Sequence, residues 1–371
     1  MQPSTDSFAA ELRTGAQYAA RVCVFIGDQI YEDTFYGGTE LGLLAENSSV
    51  QYDRLADTRS TADISFLIKT DLGQAILDPT RFPEVVVYSG IKVGTEYEWI
   101  QMGTFGIHTT TFSRTTNAVT ATCSTADRSG RVRDNPWREP FQIAAGLDYF
   151  VAAKNVIDNR AKGFTPVYNF GSSALTTPTI NNSESDDPWG VVVKLAEAVG
   201  CEVFFDRQGA VSMFPVPDPL LVAPALIIGP YSGVQLSPVS REISNREVFN
   251  GVICRAEAPW LLFPVSDEIW DEDPLSPSYR LGSFGEKPKV IGDALATTQA
   301  QCLTTATAEF RKIAGVMEAI SFSTIKDPRL EAGDVIEQID DYLGVVGRYV
   351  LDTYTYPLGS GEASGTVRRK R

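Results

Sequence analysis

The sequence is poor in the side chains that enzymes use most often. Its 371 residues include a single histidine, His108, in an alternating stretch at 106–111. A zinc site with two His ligands is therefore impossible, and any Ser-His or Cys-His nucleophile pair would have to use His108. No partner motif accompanies this residue, so we interpret it as an ordinary strand histidine rather than a catalytic base.

The cysteines offer no metal or disulfide pattern either. They are scattered along the chain at Cys23, Cys123, Cys201, Cys254 and Cys302. An odd number without a Cys-x-x-Cys pair favours buried free thiols, made in a reducing cytoplasm, over a disulfide framework or a metal cage.

Carboxylates are the remaining candidates for chemistry. An acidic stretch contains Asp267, Glu268, Asp271, Glu272 and Asp273, but it lacks the spacing and the glycine of an EF-hand, so we interpret it as a solvated loop. A glycosidase pair has no fixed spacing and stays open, since Asp and Glu total 47. No Gly-x-Ser-x-Gly elbow, phosphate loop or dinucleotide fingerprint is present. We predict no catalytic residues, no cofactor, no cofactor-binding residues and no metal ligands.

The composition is that of a globular protein of two or three domains, with 43% hydrophobic and 21% charged residues. A formal net charge of −15 disfavours a grip on nucleic acid. The longest apolar runs fall far short of the roughly 18 residues that would suggest a membrane span. Residues 1–15 lack the apolar core of a signal peptide. We therefore expect no membrane-spanning segment.

Short strands at regular spacing dominate residues 1–134, which is typical of a sandwich or barrel. The first two form a predicted hairpin around Gly27-Asp28. Further strands are predicted at 49–52, 62–68, 85–89, 96–100, 105–112 and 117–123.

The pattern changes to helical spacing in residues 135–233. We predict a helix over 141–159, a loop over 172–187, and a second helix capped by Asp187 with Pro188 at its first position. A hairpin at 201–214 turns at 206–209, and a proline-rich linker follows at 215–219.

Strands return in residues 234–371, together with one long helix predicted at 294–314. Strands are predicted at 247–256, 316–325, 335–339 and 348–356, and 259–288 is a proline-spotted excursion. The end of the sequence, Val367 to Arg371, carries four basic residues. It is interpreted either as a frayed, solvated tail or as a segment that docks on an acidic surface of a neighbouring subunit.

Several segments, taken in this order, resemble tail-hub proteins of tailed phages, especially minor tail proteins of actinobacteriophages. The resemblance extends to the hub of contractile phages and to the N-terminal part of tail-associated lysins. The segments that carry it cover most of the chain and are 37–59, 103–107 with 126–129, 188–215, 240–243 with 248–253, 306–335, 347–351 and 365–371.

The resemblance implies a mainly β fold with an α/β insertion. Residues 1–134 would form a first barrel-like tube domain, and 135–233 a mixed α/β insertion domain with the proline-rich linker. Residues 234–371 would form a second barrel-like domain with one long helix and a basic C-terminal tail.

The function implied by the resemblance is structural and not enzymatic. A homotrimer at the tail tip would adapt the sixfold tube and the distal tail protein ring to a threefold central fibre or tip protein. It would also meet the C-terminus of the tape-measure protein and line a channel that DNA passes without specific binding. Such a virion protein is assembled in the cytoplasm of the host bacterium.

The channel wall should be rich in Asp and Glu, because a cationic wall would hold DNA through counterion release. Two alternatives to the hub remain open, namely a tail-associated cell-wall hydrolase and a carbohydrate-binding adhesin.

Overall fold

The computed structural model describes every residue outside 36–37, 184–185, 216–220, 230–238, 244–247, 257–264, 294–295, 314–317, 342 and 370–371. The architecture is mainly β, with large antiparallel sheets and a few helices, which confirms the predicted fold class. Among the helices of these described parts, none is long and apolar enough to cross a membrane.

The first part of the chain alternates strands with short helical segments. Thr5 caps the first helix by accepting a hydrogen bond from the backbone N–H of Phe8, and Gly27 has a positive φ of 61° in the predicted hairpin turn. The elements are α1 (Asp6–Thr14), β1 (Tyr18–Ile26), β2 (Gln29–Asp33), β3 (Leu41–Leu43), β4 (Ser49–Asp53), β5 (Ser60–Ile68), α2 (Asp71–Ile76), β6 (Glu84–Val93), β7 (Glu96–Arg114) and β8 (Val119–Ala126), with 3-10 turns at Ala45–Asn47 and Pro79–Arg81.

The middle part is mixed, as predicted, and Asp187 caps the helix that starts at Pro188. The predicted helix over 141–159 is wrong in its first half. Gly146 has a positive φ of 84° and Asp148 caps the helix, so the helix begins only at Tyr149. The elements are α3 (Arg128–Arg133), β9 (Phe141–Ile143), α4 (Tyr149–Arg160), β10 (Tyr168–Phe170), β11 (Ile180–Asn182), α5 (Pro188–Glu197), β12 (Cys201–Phe205) and β13 (Val211–Pro215).

The predicted loop and the predicted linker of this part can be compared with the structure over their described residues. The predicted loop at 172–187 contains the short strand β11, which pairs with β9. The proline-rich linker falls largely on 216–220, which lies outside the described residues, although Pro215 ends β13.

The last part returns to strands, and the predicted helix at 294–314 is observed as Gln299–Ile313, with its expected ends at 294–295 and 314 outside the described residues. The excursion at 259–288 contains a strand beyond its undescribed start. The elements are β14 (Leu226–Ile228), β15 (Ser240–Ile243), β16 (Gly251–Ala256), β17 (Ser266–Trp270), β18 (Pro288–Asp293), α6 (Gln299–Ile313), β19 (Glu318–Thr324), β20 (Val335–Asp340), β21 (Val345–Pro357) and β22 (Ala363–Arg369).

One 14-stranded sheet contains strands from both strand-rich parts. Its order is β15-β19-β22-β21-β4-β5-β8-β7-β6-β1-β2, with β20, β14 and β3 attached beside this path. The two parts meet where β4 and β21 pair antiparallel, with Tyr52 opposite Tyr354 and Gln51 opposite Thr355. Residues some 300 positions apart are therefore neighbours in the sheet. We call this junction the seam.

The cores follow the same division. One large core lies under the sheet on both sides of the seam and includes Phe66, Phe105, Tyr354 and Tyr356. The middle part has its own core around Trp189, and β16–β18 form a small core with α6. The boundaries at residues 134 and 233 stay a prediction.

The end of the chain is not frayed over its described residues. The strand β22 pairs with β19 on one side and with β21 on the other, which places Val367 in the core. The interpretation of 367–371 as a solvated tail is wrong up to Arg369, since this stretch is an internal strand of the sheet. Residues 370–371 lie outside the described residues.

Candidate functional site

The single histidine packs on α3. His108 Nδ1 lies 3.3 Å from Asp134 Oδ2, and an added Cβ on Gly130 would be 2.7 Å from His108 Nε2. Burial lowers the pKa of His108, although Asp134 opposes this shift. The ring is therefore neutral at neutral pH and fills space beside α3. The contact with Asp134 was not foreseen from the sequence.

The five cysteines are free and buried, as predicted. Burial raises the pKa of Cys123 and of Cys201 to about 11. Both side chains are therefore thiols rather than reactive thiolates at neutral pH.

The interpretation of 267–273 as a loop is wrong in its first part, because Asp267 and Glu268 lie in β17 and pair with β16. The remainder of the stretch is organised by hydrogen bonds within its own loop. Asp271 accepts hydrogen bonds from the hydroxyls of Ser276 and Ser278. Across the described ranges, no group of three or more His, Cys, Asp or Glu side chains is placed to hold a metal ion. The sequence-based expectation of no catalytic, cofactor or metal residues stays a prediction.

A buried ionic cluster lies at one end of the seam, and we call Arg54, Arg59, Glu202, Asp352 and Arg368 the seam cluster. Glu202, on β12 of the middle part, pairs with both Arg54 and Arg59 of the first part. Asp352 pairs with Arg368 and lies 3.7 Å from Arg54. Three parts of the chain thus share one network of charges.

Burial governs the acid–base behaviour of the seam cluster. It raises the pKa of Asp352 to about 6, although Arg368 and Arg54 pull in the other direction. It also lowers the pKa of Arg59, against the attraction of Glu202. Both shifts have the same cause, since desolvation disfavours the charged form of a group that is shielded from water.

Two further contacts fix the middle part to the sheet. Arg207 donates to the backbone carbonyls of Pro328 and Leu330, and its guanidinium lies 4.9 Å from the centroid of the Tyr52 ring. Arg128 pairs with Glu84 at 2.8 Å and donates to the backbone carbonyl of Gly209 in the middle part at 2.8 Å. These buried, bidentate and stacked arginines make a firm attachment that a lysine could not reproduce.

The other notable surface is on the outer face of the large sheet. Strands alternate, so that core residues such as Tyr354 and Phe322 point inward while their neighbours point out. The outward residues form cross-strand rows of hydroxyls. We call this surface the hydroxyl face and define it by Ser49, Thr61, Thr109, Thr111, Thr122, Ser124, Ser240, Ser321, Ser323, Thr353, Thr355, Ser364 and Thr366.

The strand register shows that these rows cross the seam without a break. One row runs through the following partners in order, from β15 to β4: Ser240, Ser321, Thr366, Thr353 and Asp53. A second row runs from β19 to β5 through Ser323, Ser364, Thr355, Gln51 and Thr61. Both strand-rich parts therefore build one surface.

The hydroxyl face is concave on the side of the last part of the chain. A shallow groove of about 310 Å³ is lined mainly by its hydroxyls on β15, β19, β21 and β22. The Thr353 and Thr366 hydroxyls lie 2.6 Å apart across two of these strands. On the other side of the seam, Ser124 donates to Asp63 at 3.0 Å.

Sequence reasoning missed both surfaces. The hydroxyl face left a signal, since Ser or Thr recurs at every second position in stretches such as 353–355, 364–366 and 321–323. The seam cluster left none, because its members come from strands that are far apart in the sequence.

Comparison with known structures identifies the fold. A tail protein from Neisseria meningitidis MC58 matches with a TM-score of 0.62 at 12% identity, covering 95% of this chain and 97% of that chain. The 43 kDa tail protein of prophage MuSo2 from Shewanella oneidensis matches with a TM-score of 0.59 at 14% identity, covering 94% and 98%. A chain of the half-lidded Francisella PdpA–VgrG complex matches with a TM-score of 0.57 at 9% identity, covering 99% and 65%.

By sequence, no protein-family model and no curated protein matches the chain. The structural matches to the two tail proteins extend over nearly the whole of both chains, so the shared feature is the complete fold and not one domain. The chain therefore has the fold of phage tail proteins, which confirms the resemblance to the tail and baseplate hub family that the sequence indicated.

Proposed function

We propose that this chain is the structural hub at the tip of a phage tail and that it lines the DNA channel. The observation that carries the proposal is the seam, which joins both strand-rich parts into one sheet with one continuous outer face, concave on the side of the last part of the chain. A tube wall needs such a surface, because gaps between separate domains would open the channel sideways.

The proposed assembly is a homotrimer. A sixfold tube and distal tail protein ring must meet a threefold central fibre or tip protein. Three subunits, each with two strand-rich parts in the wall, supply six similar segments of a ring. The ring then matches the sixfold tube while the assembly keeps threefold symmetry. The C-terminus of the tape-measure protein would end at the same level of the channel.

The middle part is proposed to point away from the channel and to contact neighbouring tail components. The seam cluster and Arg207 hold it in a fixed orientation against the sheet. A rigid attachment suits an adaptor, since a mobile part could not define the position of its neighbours.

The proposed location is the tail tip of the virion, after assembly in the cytoplasm of the host bacterium. The five free thiols agree with synthesis in a reducing compartment. No enzymatic role is proposed: two of the neighbours named above are tail proteins, and His108 is packed against α3.

A cryo-EM reconstruction of tail tips that contain the chain tests this function. We expect three copies per tip, with the hydroxyl face toward the axis and the middle part outside. Six copies, or a face turned away from the axis, would contradict the proposal. Release of peptidoglycan fragments by the purified chain, lost on substitution of one acid, would favour a hydrolase instead.

A further inference from the structure

The hydroxyl face is unusual for its lack of charge on a chain whose net charge is −15. Along the rows that the structure describes, the charged side chains are Asp53, Asp63 and Glu84, and Glu84 is paired with Arg128. Asp63 accepts a hydrogen bond from Ser124, a neighbour in the same row. The acidic residues of the chain are thus concentrated elsewhere, and this surface is close to neutral.

The border of the face is neutral for a different reason. Beyond Thr366 on the same strand lies Arg368, and beyond Thr353 lies Asp352. These two side chains pair with each other. Arg368, two residues beyond Thr366, is therefore held by a carboxylate.

The spacing of the rows makes the surface uniform as well as neutral. Neighbouring strands lie about 4.8 Å apart, and every second residue along a strand is about 6.6 Å further on. Neighbouring positions of the rows are therefore about 5 to 7 Å apart, both along and across the strands. Serine and threonine hydroxyls can donate to phosphate oxygens, but such contacts release no counterions.

We propose that the hydroxyl face is a charge-neutral contact surface for the backbone of double-stranded DNA in transit. This inference rests on the proposed channel role and deepens it. DNA exchanges hydrogen bonds with a lattice of equivalent hydroxyls and meets neither fixed cations that would hold it nor a dense row of acids that would repel it. On this proposal the wall is rich in hydroxyls, whereas the sequence analysis predicts a wall rich in Asp and Glu.

The test places a defined charge on the face after assembly. In Ser321→Cys, the new thiol is exposed, whereas the five native cysteines are buried, so labelling is selective. Particles assembled with this variant are treated with small methanethiosulfonates that add a trimethylammonium, a sulfonate or a neutral hydroxyethyl group. The matched control is Ser172→Cys, an exposed position in the middle part.

We expect the trimethylammonium label at Ser321→Cys to slow DNA delivery by about tenfold, because each fixed cation gains binding from counterion release. The neutral label should leave the rate within about twofold of unlabelled particles. None of the three labels should alter delivery at the control position. Equal rates for the cationic and the neutral label would overturn the inference.

Two outcomes separate this inference from the proposed function. If the cysteine in assembled tails resists labelling but reacts in the free chain, the face is an interface between subunits, and both proposals about the wall are wrong. If cryo-EM places the face on the channel while charge has no effect on delivery, the function stands and the inference of a charge-sensitive neutral wall fails.

Discussion

The hydroxyl face and the seam cluster adjoin on β21 and β22, and they differ in charge. On β4, β21 and β22, the residues of the hydroxyl face are uncharged. Next to them, Arg54 and Asp352 are buried and charged, and Arg368 is partly exposed. The charged end is covered by β12 of the middle part, which brings Glu202. Charge is thus concentrated where a second part of the chain provides its partners, and it is scarce where the surface is open.

This contrast predicts how much stability the chain loses when a residue of either surface is substituted. Buried ion pairs fix an orientation, but they leave an uncompensated charge when one partner is lost. Exposed hydroxyls gain little stability and lose little when substituted. Four variants, in order of expected effect, break or sharpen this difference.

The largest effect is expected for Glu202→Ala. Its carboxylate serves both Arg54 and Arg59, so the variant leaves two buried guanidinium groups short of a partner. We expect the free energy of unfolding to fall by about 3–5 kcal/mol. The measurement is the midpoint of urea unfolding. The control is Glu286→Ala, whose partner Arg280 is more exposed, with a loss below about 1 kcal/mol. Equal losses of unfolding free energy would show that the seam cluster contributes no more to stability than an exposed ion pair.

The second variant is Asp352→Asn, and its effect depends on pH. The pKa of Asp352 is about 6 in the folded chain, above an unfolded value of about 3.9. Between these values the folded state binds more proton, so the contribution of Asp352 to stability falls as pH rises and is constant above about pH 6.

The expected size of this change is about 2 kcal/mol between pH 4 and pH 7, since one pKa unit corresponds to about 1.4 kcal/mol and the unfolded carboxyl is already half ionised at pH 4. The measurement is the difference in unfolding free energy between the native chain and Asp352→Asn across that range. The unfolding free energy of the native chain minus that of the variant should fall as pH increases. A difference that is the same at both ends would contradict the shifted pKa.

A smaller effect is expected for Thr353→Val on the hydroxyl face. The variant keeps the shape of the side chain and removes the hydrogen bond to Thr366, whose hydroxyl is 2.6 Å away. The loss should be about 1 kcal/mol. The reciprocal Thr366→Val should give the same loss, and the double variant should add little, because both remove one shared bond. Additive losses in a thermal unfolding cycle would argue against the pairing.

The smallest effect is expected for Ser364→Ala, an exposed serine in the middle of the same face. We expect a change within about 0.5 kcal/mol, as for surface positions in general. Thermal unfolding measures it. A loss as large as that of Glu202→Ala would mean that the face is buried by another surface in solution, and the oligomeric state of the chain would then identify it.

Much of the fold could be predicted because its signals are local. The Asp187 cap with Pro188, and the hairpin closed at Asp206 and Gly209, depend on residues within one or two turns of each other. The helix predicted over 141–159 started too early because apolar spacing continued past Gly146, whose positive φ ends that pattern. Local signals such as a capping Asp or a glycine must therefore be weighed against apolar periodicity when the start of a helix is predicted.

The candidate surfaces were harder to predict because they depend on pairing between distant strands. Nothing in the sequence near Tyr52 indicates that Tyr354 lies opposite. The acid-rich wall was expected because a cationic wall would hold DNA, and neither that argument nor the net charge specifies which face of the chain carries the acids. Alternating Ser and Thr could have suggested an open strand face, but not that eight strands would align these residues.

The seam also has a consequence for synthesis. While the ribosome is still making the middle part, β4 has formed its partner β5 but lacks β21, which is translated about 300 residues later. The nascent chain therefore carries an open strand edge above a half-built core, a state prone to pairing with other chains. Pairing with β21 completes the sheet and removes that edge in one step. Only a chain translated through β21 can then present the finished sheet, so this strand pairing makes late synthesis a condition for a complete surface.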